Sequence, residues 1–433
     1  MNEVVVAGVL FLVLLAFAYI YVYRRTPLVF VVFFLVLFSE VPVLWSATFL
    51  DVAEVYISEL EVYSSPSMGY WLLGAFFAFD LFVFYAVFRF LPSVEEGNST
   101  KRLSSNQLHL ASVVLLGIAL VLLGHMLIST IPFFDSSVNK MNFWAGGARF
   151  PSLSVLHNQI MAYAIVLGMM SVFARRTGKP SRIGLFNLVT ILLLLGYLVL
   201  MGYKFGLLLQ VIYLYSLPLL IDRASAGKLH FGTIALKLGA LLAVLFGVVA
   251  LVYVRRYGDA DVVLEVARQR LFVMEGQVWH VVMNDYLNGW GYLRQSFDDS
   301  NSFLDGMMRG VMSGDLYSHY NGMNVRLSNI YPAALFIKFD SVALVVAVYM
   351  MVTFATALSG YMIYRNVRQV NFLLSILWMK IFFVLRAFAS SVDADELFSL
   401  KSLFWVGLLV MIYLIMAVRA GLRPSLRNFG ATS

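Results

Sequence analysis

The sequence predicts an all-α polytopic membrane protein, with about eleven transmembrane helices and one large outer loop. Three observations carry this. The 433 residues are 61% hydrophobic and only 13% charged, where a soluble domain averages about 45–50% apolar and about 25% charged. The apolar residues fall into runs of span length, bounded by charged or turn residues. None of these runs alternates as a strand of a lipid-facing barrel would. The composition excludes an ordinary soluble protein, a disordered chain and a nucleic-acid binder. The chain has no Cys, which removes disulfides, thiolate metal sites and cysteine nucleophiles.

The first run, 4–23, ends at Arg24-Arg25 and reads as a retained helix rather than a cleaved signal. Further spans are expected at 28–49, 69–91, 108–132, 156–174, 183–202, 205–221, 231–254, 341–364, 370–389 and 402–419. In lipid, backbone groups must bond within their own segment, so runs of this length fold as helices. The net charge of +7 matters less than its distribution. One set of connections carries Arg24, Arg25, Arg89, Lys101, Arg102, Arg175, Arg176, Lys179, Arg182, Arg223, Lys228, Arg365, Arg368, Arg419, Arg423 and Arg427. Of the other set, 51–68 has no Lys or Arg and four acids. By the positive-inside rule the first set is cytoplasmic, with the N-terminus outside and the C-terminus inside. The chain divides into a bundle over 1–254, an outer loop over 255–330, and a second bundle with a cytoplasmic tail over 331–433. A missed or merged pair of spans would keep this charge pattern, and the weak segment Tyr331–Phe339 is the first place to look for one.

The connection from Arg255 to Asn329 holds seven Arg, no Lys, nine acids, two His and two Trp. Long connections without structure of their own are usually functional. Arg binds phosphate or carboxylate through paired donors. Val263, Ala267, Leu271, Met274, Val278 and Val282 recur at helical spacing, which places Arg270, Gln277, His280 and Asn284 on a flanking polar face. Such a helix lies on the membrane, with its Arg residues either over a cavity or snorkelling to headgroups. Arg255 and Arg256 stand at the outer end of the eighth span, placed for a lipid pyrophosphate or for phospholipid headgroups.

Lys204 lies in the short outer turn 201–206 between two glycines, either lining a polar cavity or snorkelling. Arg149 lies in the outer loop 132–154, and Arg326 near the end of the long one. His319 sits in a polar, turn-rich stretch, where a neutral imidazole can accept a hydroxyl proton. Glu275 and the pair Asp298-Asp299 are alternative bases. Glu40, Asp80, Lys237, Lys380 and Arg386 fall within spans, so each should face the bundle interior. No His pair has metal-ligand spacing, and Walker, Rossmann and nucleophile-elbow patterns are absent.

With these residues in view, the chain resembles the O-antigen polymerase family (Wzy type), the oligosaccharide repeat unit polymerases. The similarity rests on the multi-span chain with a single late outer loop and on the turn Gly202-Tyr-Lys-Phe-Gly206. It also rests on Arg255-Arg256 followed by 270–279, and on the run from Gly322 to Phe339 with Tyr331-Pro332 entering the next span. Asp340 stands where the family has a glycine. The resemblance implies a GT-C-like, metal-independent glycosyltransferase without a cofactor. Its partners are undecaprenyl-pyrophosphate-linked oligosaccharides, the bilayer and a chain-length-regulating co-polymerase, with no nucleic acid. It implies a bacterial inner-membrane location with chemistry on the periplasmic face.

In that scheme Arg255, Arg256, Arg270 and Lys204 stabilise the leaving pyrophosphate. His319, or else Glu275, is the base, and Arg149 and Arg326 hold the acceptor. Trp279, Trp290 and Tyr317 either stack on sugars or anchor at the interface. The alternatives are an O-antigen ligase, whose signature His319-Tyr320 does not match, a lipid-linked oligosaccharide flippase, and a structural membrane subunit. A flippase should line its interior cavity with charge.

Overall fold

A computed structural model of the chain describes residues 3–57, 60, 62–65, 67–92, 105–134, 143–178, 181–203, 205–229, 268–289, 308–310, 312–322, 331–339, 341–391 and 399–429, with isolated positions between 239 and 264. The elements are α1 (Glu3–Arg25), α2 (Pro27–Val32), α3 (Phe34–Val52), β1 (Tyr56–Ile57), β2 (Val62–Tyr63), α4 (Gly69–Phe90) and α5 (Ser105–Leu127). They continue with α6 (Ser154–His157), α7 (Ile160–Arg176), α8 (Ser181–Leu200), α9 (Phe205–Ser225), α10 (Gln277–Asn288) and α11 (Gly314–Gly322). The chain then runs through α12 (Ala333–Lys338), α13 (Val342–Arg368), α14 (Phe372–Ser391) and α15 (Leu400–Phe429). The two strands form one antiparallel pair, with Tyr56 opposite Tyr63 and Ile57 opposite Val62.

The protein is an all-α multi-pass membrane protein. Among the described residues eight helices are long and apolar enough to cross a bilayer: α1, α3, α4, α5, α8, α9, α13 and α14. The pair α6–α7, bent by 41°, makes a ninth if counted as one span. The apolar part of α15, Leu400–Ile415, is shorter. The expected span 231–254 lies outside the described residues except at isolated positions.

One expected helix differs in detail, and the weak segment before the later spans holds a short helix. The run 28–49 is not one helix but breaks at Phe33, whose φ and ψ are −101° and 17°. Phe33 is fully buried and stacks on Phe84 at 4.0 Å. The carbonyl of Val32, at the break, accepts the Tyr213 hydroxyl at 2.5 Å, so a carbonyl freed by the interruption is paired by a side chain from α9. Tyr331–Phe339 contains a short helix, α12, whose Ala333–Ile337 are all buried.

Helix ends bearing Arg24-Arg25, Arg89, Arg175-Arg176, Arg223 and Arg365-Arg368 define a basic end of the bundle. There Arg176 donates from Nε and Nη2 to Asp222 Oδ1, at 2.9 and 2.7 Å. Lipid supplies no hydrophobic drive between helices, so close packing and polar contacts hold them. A Cβ on Gly168 of α7 would stand 2.2 Å from the Tyr215 carbonyl oxygen of α9. Asn187 of α8 accepts from Ser112 of α5 at 2.9 Å and donates to Ser171 of α7 at 3.0 Å. A second core, formed by α3, α4, α10, α12 and α13, sits toward the opposite end. This loop end carries the connections that the sequence places outside.

Candidate functional site

Helix α10 is built into the bundle rather than resting on a membrane surface. Its apolar side, Val278, Trp279, Val282 and Met283, is buried in the second core. Trp279 is 1% exposed and meets Phe76 and Phe336 edge-on, at 6.5 and 5.9 Å. It is a core side chain, which corrects the expectation that it stacks on sugars or anchors at the interface. Gly289, at φ +66°, ends the helix in the left-handed conformation that glycine adopts without strain.

The other face of α10 carries His280 and Asn284, four residues apart and hence adjacent. His280 Nδ1 donates to Asp51 Oδ1 at 2.5 Å. The imidazole Nε2 accepts from Asn284 Nδ2 at 3.1 Å and faces the Ser65 N–H at 3.4 Å. Asp51, fully buried at the end of α3, also accepts the Ser67 hydroxyl at 2.7 Å and the Tyr70 N–H at 2.8 Å. One carboxyl thus ties α3, α4 and α10 together, and every partner around it donates. Both groups facing Nε2 are donors, so Nε2 is the accepting nitrogen and the Nδ1 proton points at Asp51.

Just before α10 the turn Arg270–Met274 lies against α3. Ser46 Oγ reaches the carbonyls of Val273 and Phe272 at 2.7 and 3.1 Å, and accepts the Gly276 N–H at 2.9 Å. Gly276 is required there, since a Cβ would fall 2.2 Å from the backbone nitrogen of Ala47. This docking fixes the backbone of Arg270, whose side chain lies outside the described residues. Glu275 follows at the corner, half-buried and engaged in a polar interaction.

Among the other expected site residues, Arg255, Arg256, Lys204 and Arg326 lie outside the described residues. The backbone of His319 is in α11, and its side chain lies outside them. Arg149 is exposed, its N–H donating to Ser129 Oγ at 3.1 Å. It borders an aromatic cluster. His125 stacks on Trp144 at 5.6 Å and accepts the Phe150 N–H at 3.1 Å. His157 bridges the hydroxyls of Tyr197 and Tyr203 at 3.0 and 3.1 Å. Trp144, Tyr197 and Tyr203 of this cluster pack on the first core, with Arg149 beside it through its backbone. The Arg270–Glu275 turn belongs to the second.

The third feature is a cavity of about 110 Å³ inside the bundle. Glu40 of α3, Asp80 of α4 and Arg386 of α14 line it, with Tyr331 leading into α12. Asp80 is held by the Thr353 and Tyr349 hydroxyls at 2.5 and 2.6 Å. Glu40 Oε2 accepts the Tyr19 hydroxyl at 3.3 Å. The Glu40 and Asp80 carboxyls are hydrogen-bonded to each other, and two buried donors on the same space, Tyr331 OH and Arg386 Nη1, have no hydrogen-bond partner. Burial, then Asp80 and Glu40 beside it, pushes the Tyr331 phenol up, which keeps it a neutral donor.

Glu40, Asp80 and Arg386 stand out in the sequence as charges within apolar runs. Tyr331, Tyr349 and Thr353 do not, although Tyr349 and Thr353 lie four residues apart on one helix face. Lys380, also within a span, stands over the Trp405 ring at 5.6 Å. Among the described residues no cluster of His, Asp and Glu could hold a metal ion. Compared with protein-family models, curated proteins and solved structures, the chain matches none.

Proposed function

We propose that the chain is a metal-independent glycosyltransferase of a bacterial inner membrane. It polymerises undecaprenyl-pyrophosphate-linked oligosaccharide repeat units into O-antigen or a related surface polysaccharide on the periplasmic face. The observation that supports this reading is the docking of Arg270–Asn288 against α3 and α4 through Ser46, Gly276 and the Asp51–His280 pair. An Arg-rich connection anchored in this way has a fixed framework from which to present cations, as transition-state stabilisation requires.

In the reaction the acceptor hydroxyl oxygen attacks the anomeric carbon of the donor glycan. The bond from that carbon to the pyrophosphate oxygen breaks, and the hydroxyl proton passes to a base. Arg255, Arg256, Arg270 and Lys204 stabilise the charge gained by the pyrophosphate. His319 or Glu275 takes the proton, and Arg149 and Arg326 hold the acceptor's pyrophosphate. This reading takes about eleven spans with the basic end cytoplasmic, so that by the positive-inside rule these groups face the periplasm.

Deleting the gene and resolving the surface polysaccharide on a gel tests the reading. Single-repeat glycan on lipopolysaccharide is expected, and persistent long-chain ladders overturn it. Glycan-free lipopolysaccharide beside abundant free polymer assigns a ligase instead. Arg256→Ala should stop chain growth while the protein remains in the membrane.

A second reading is favoured by the charged interior cavity: a lipid-linked oligosaccharide flippase, in which Glu40, Asp80 and Arg386 line the path. In that case the deletion leaves lipid-linked repeats trapped on the cytoplasmic leaflet and no surface polymer.

A further inference from the structure

At the basic end of the bundle, the ends of α7 and α9 border a cleft of about 490 Å³, lined by Arg175, Asp222, Arg223, Ala226 and Lys228. Ligand pockets span about 300–1,000 Å³. The proposed transfer, at the loop end, makes no use of it. The cleft lies where the spans finish: α9 crosses as Gly206–Ser225, and Arg175-Arg176 close α7. It therefore opens at the depth of lipid headgroups.

The local backbone explains why the cations converge. Gly227, at φ +66°, takes the left-handed conformation that closes a helix. The N–H groups of Lys228 and Gly227 donate to the Arg223 and Ala224 carbonyls at 3.0 and 3.1 Å. The chain thereby folds back and brings Lys228 to the level of Arg223. Gly178, at φ +67°, follows α7 in the same conformation, its N–H on the Arg175 carbonyl at 3.3 Å. Thr177 Oγ1 reaches the Phe173 and Ala174 carbonyls at 3.0 and 3.2 Å. Backbone and hydroxyl donors thus serve these terminal carbonyls, and the basic side chains are not needed to cap them.

Charge narrows the ligand. Asp222 is the one acid among the described lining residues, and Arg176 already holds its Oδ1 with two donors, at 2.9 and 2.7 Å. Arg175 stands 3.8 Å from the other oxygen with its side chain 47% exposed, and Arg223 and Lys228 are exposed. Four cations against one carboxylate leave a net charge of +3. A metal cation is repelled there, and a neutral sugar leaves the charge unmet. A phosphate suits it, because guanidinium forks grip paired oxygens and an ammonium adds a point charge. At headgroup depth the phosphate at hand is a lipid's, and basic pockets between membrane helices take acidic headgroups. A zwitterionic headgroup would bring its own ammonium against the three cations, so the lipid is an anionic one.

We propose that this cleft binds the phosphate of an anionic phospholipid between Arg175, Arg223 and Lys228, beside the fixed Arg176–Asp222 pair. The full chain in nanodiscs of mixed phosphatidylglycerol and phosphatidylcholine is released into native mass spectrometry, and retained lipid is measured as the phosphatidylglycerol fraction is varied. Phosphatidylglycerol should be retained in preference to phosphatidylcholine. Arg223→Gln and Lys228→Gln should each weaken retention by about fivefold, and together by about 25-fold. Arg89→Gln removes the same charge from an exposed residue at the same end but outside the lining, and should change retention by less than about twofold. All three replacements fall on exposed side chains, and an unchanged thermal melt checks that each variant is folded. No preference for phosphatidylglycerol, or an equal loss in Arg89→Gln, means diffuse surface charge and overturns the proposal. Millimolar inorganic phosphate added before release separates the two sources of the anion. Retention that persists supports the lipid, and displacement of the lipid assigns a site for free phosphate and overturns it.

Discussion

Replacing Asp51 by Ala should release α10 from the bundle. Asp51 accepts from His280 Nδ1, Ser67 Oγ and the Tyr70 N–H. Ser67 is only half-buried and can turn to water, so little is lost there. Tyr70 N and His280 Nδ1 are buried and become orphaned donors. Moving the imidazole proton to Nε2 does not help, because Ser65 N and Asn284 Nδ2 already point donors at it. Two orphans at about 1–3 kcal/mol each cost about 2–6 kcal/mol together. Taking about 3 kcal/mol, the docking equilibrium shifts by more than about a hundredfold. Hydrogen–deuterium exchange over Gln277–Asn288, in lipid nanodiscs, should accelerate by that factor while α7 and α9 keep their protection. His280→Ala should behave similarly, and the double variant should be little worse than either single one. Unchanged protection of α10 in Asp51→Ala, or strictly additive effects, would refute the reasoning.

Other outcomes follow from the same geometry. Gly276→Ala drives a Cβ into the Ala47 backbone and should expose Gln277–Asn288 to exchange as strongly as Asp51→Ala. Gly289→Ala, strained only by φ +66°, should cost about 1 kcal/mol. Tyr349→Phe and Thr353→Val each strip a donor from buried Asp80 and should lower stability by about 1–3 kcal/mol. In the same thermal melt Tyr63→Phe, at a residue 68% exposed, should be silent. At the basic end Arg176→Ala breaks a two-pronged contact with Asp222 and should destabilise more than Arg175→Ala. Arg175 sits 3.8 Å away and its side chain is 47% exposed, so its removal should cost under about 1 kcal/mol. Equal melting of these two variants would contradict the assignment.

The long apolar runs made the helices legible, because their length in lipid leaves the backbone no alternative. The break at Phe33 left no local mark, since the Tyr213 hydroxyl that satisfies Val32 lies 181 residues away. Glu40, Asp80 and Arg386 were readable as costly charges that face inward, and they share a cavity. Tyr331 was not, because a phenol within an apolar stretch costs little until its hydroxyl is buried alone. Trp279 shows the limit of periodicity: helical spacing puts it beside the apolar stripe but does not say whether core or lipid covers it. Asp51 counted only as one of four acids in 51–68, and His280 only as part of a polar face. Their pairing joins positions 229 apart and is written in no window of the sequence.

That separation sets an order for biogenesis. A chain emerges at about 5–20 residues per second, so Asp51 exists for roughly ten to fifty seconds before His280 is made. Ser46 waits as long for Gly276, and Asp80 longer for Thr353, which lies 273 residues on. The core of α5, α7, α8 and α9 closes between neighbours in the chain and can be complete well before then. Newly inserted protein therefore passes through a stage with half its bundle packed and its loop end open, with Asp51 still solvated. A ribosome stalled before residue 280 should hold the chain in that state.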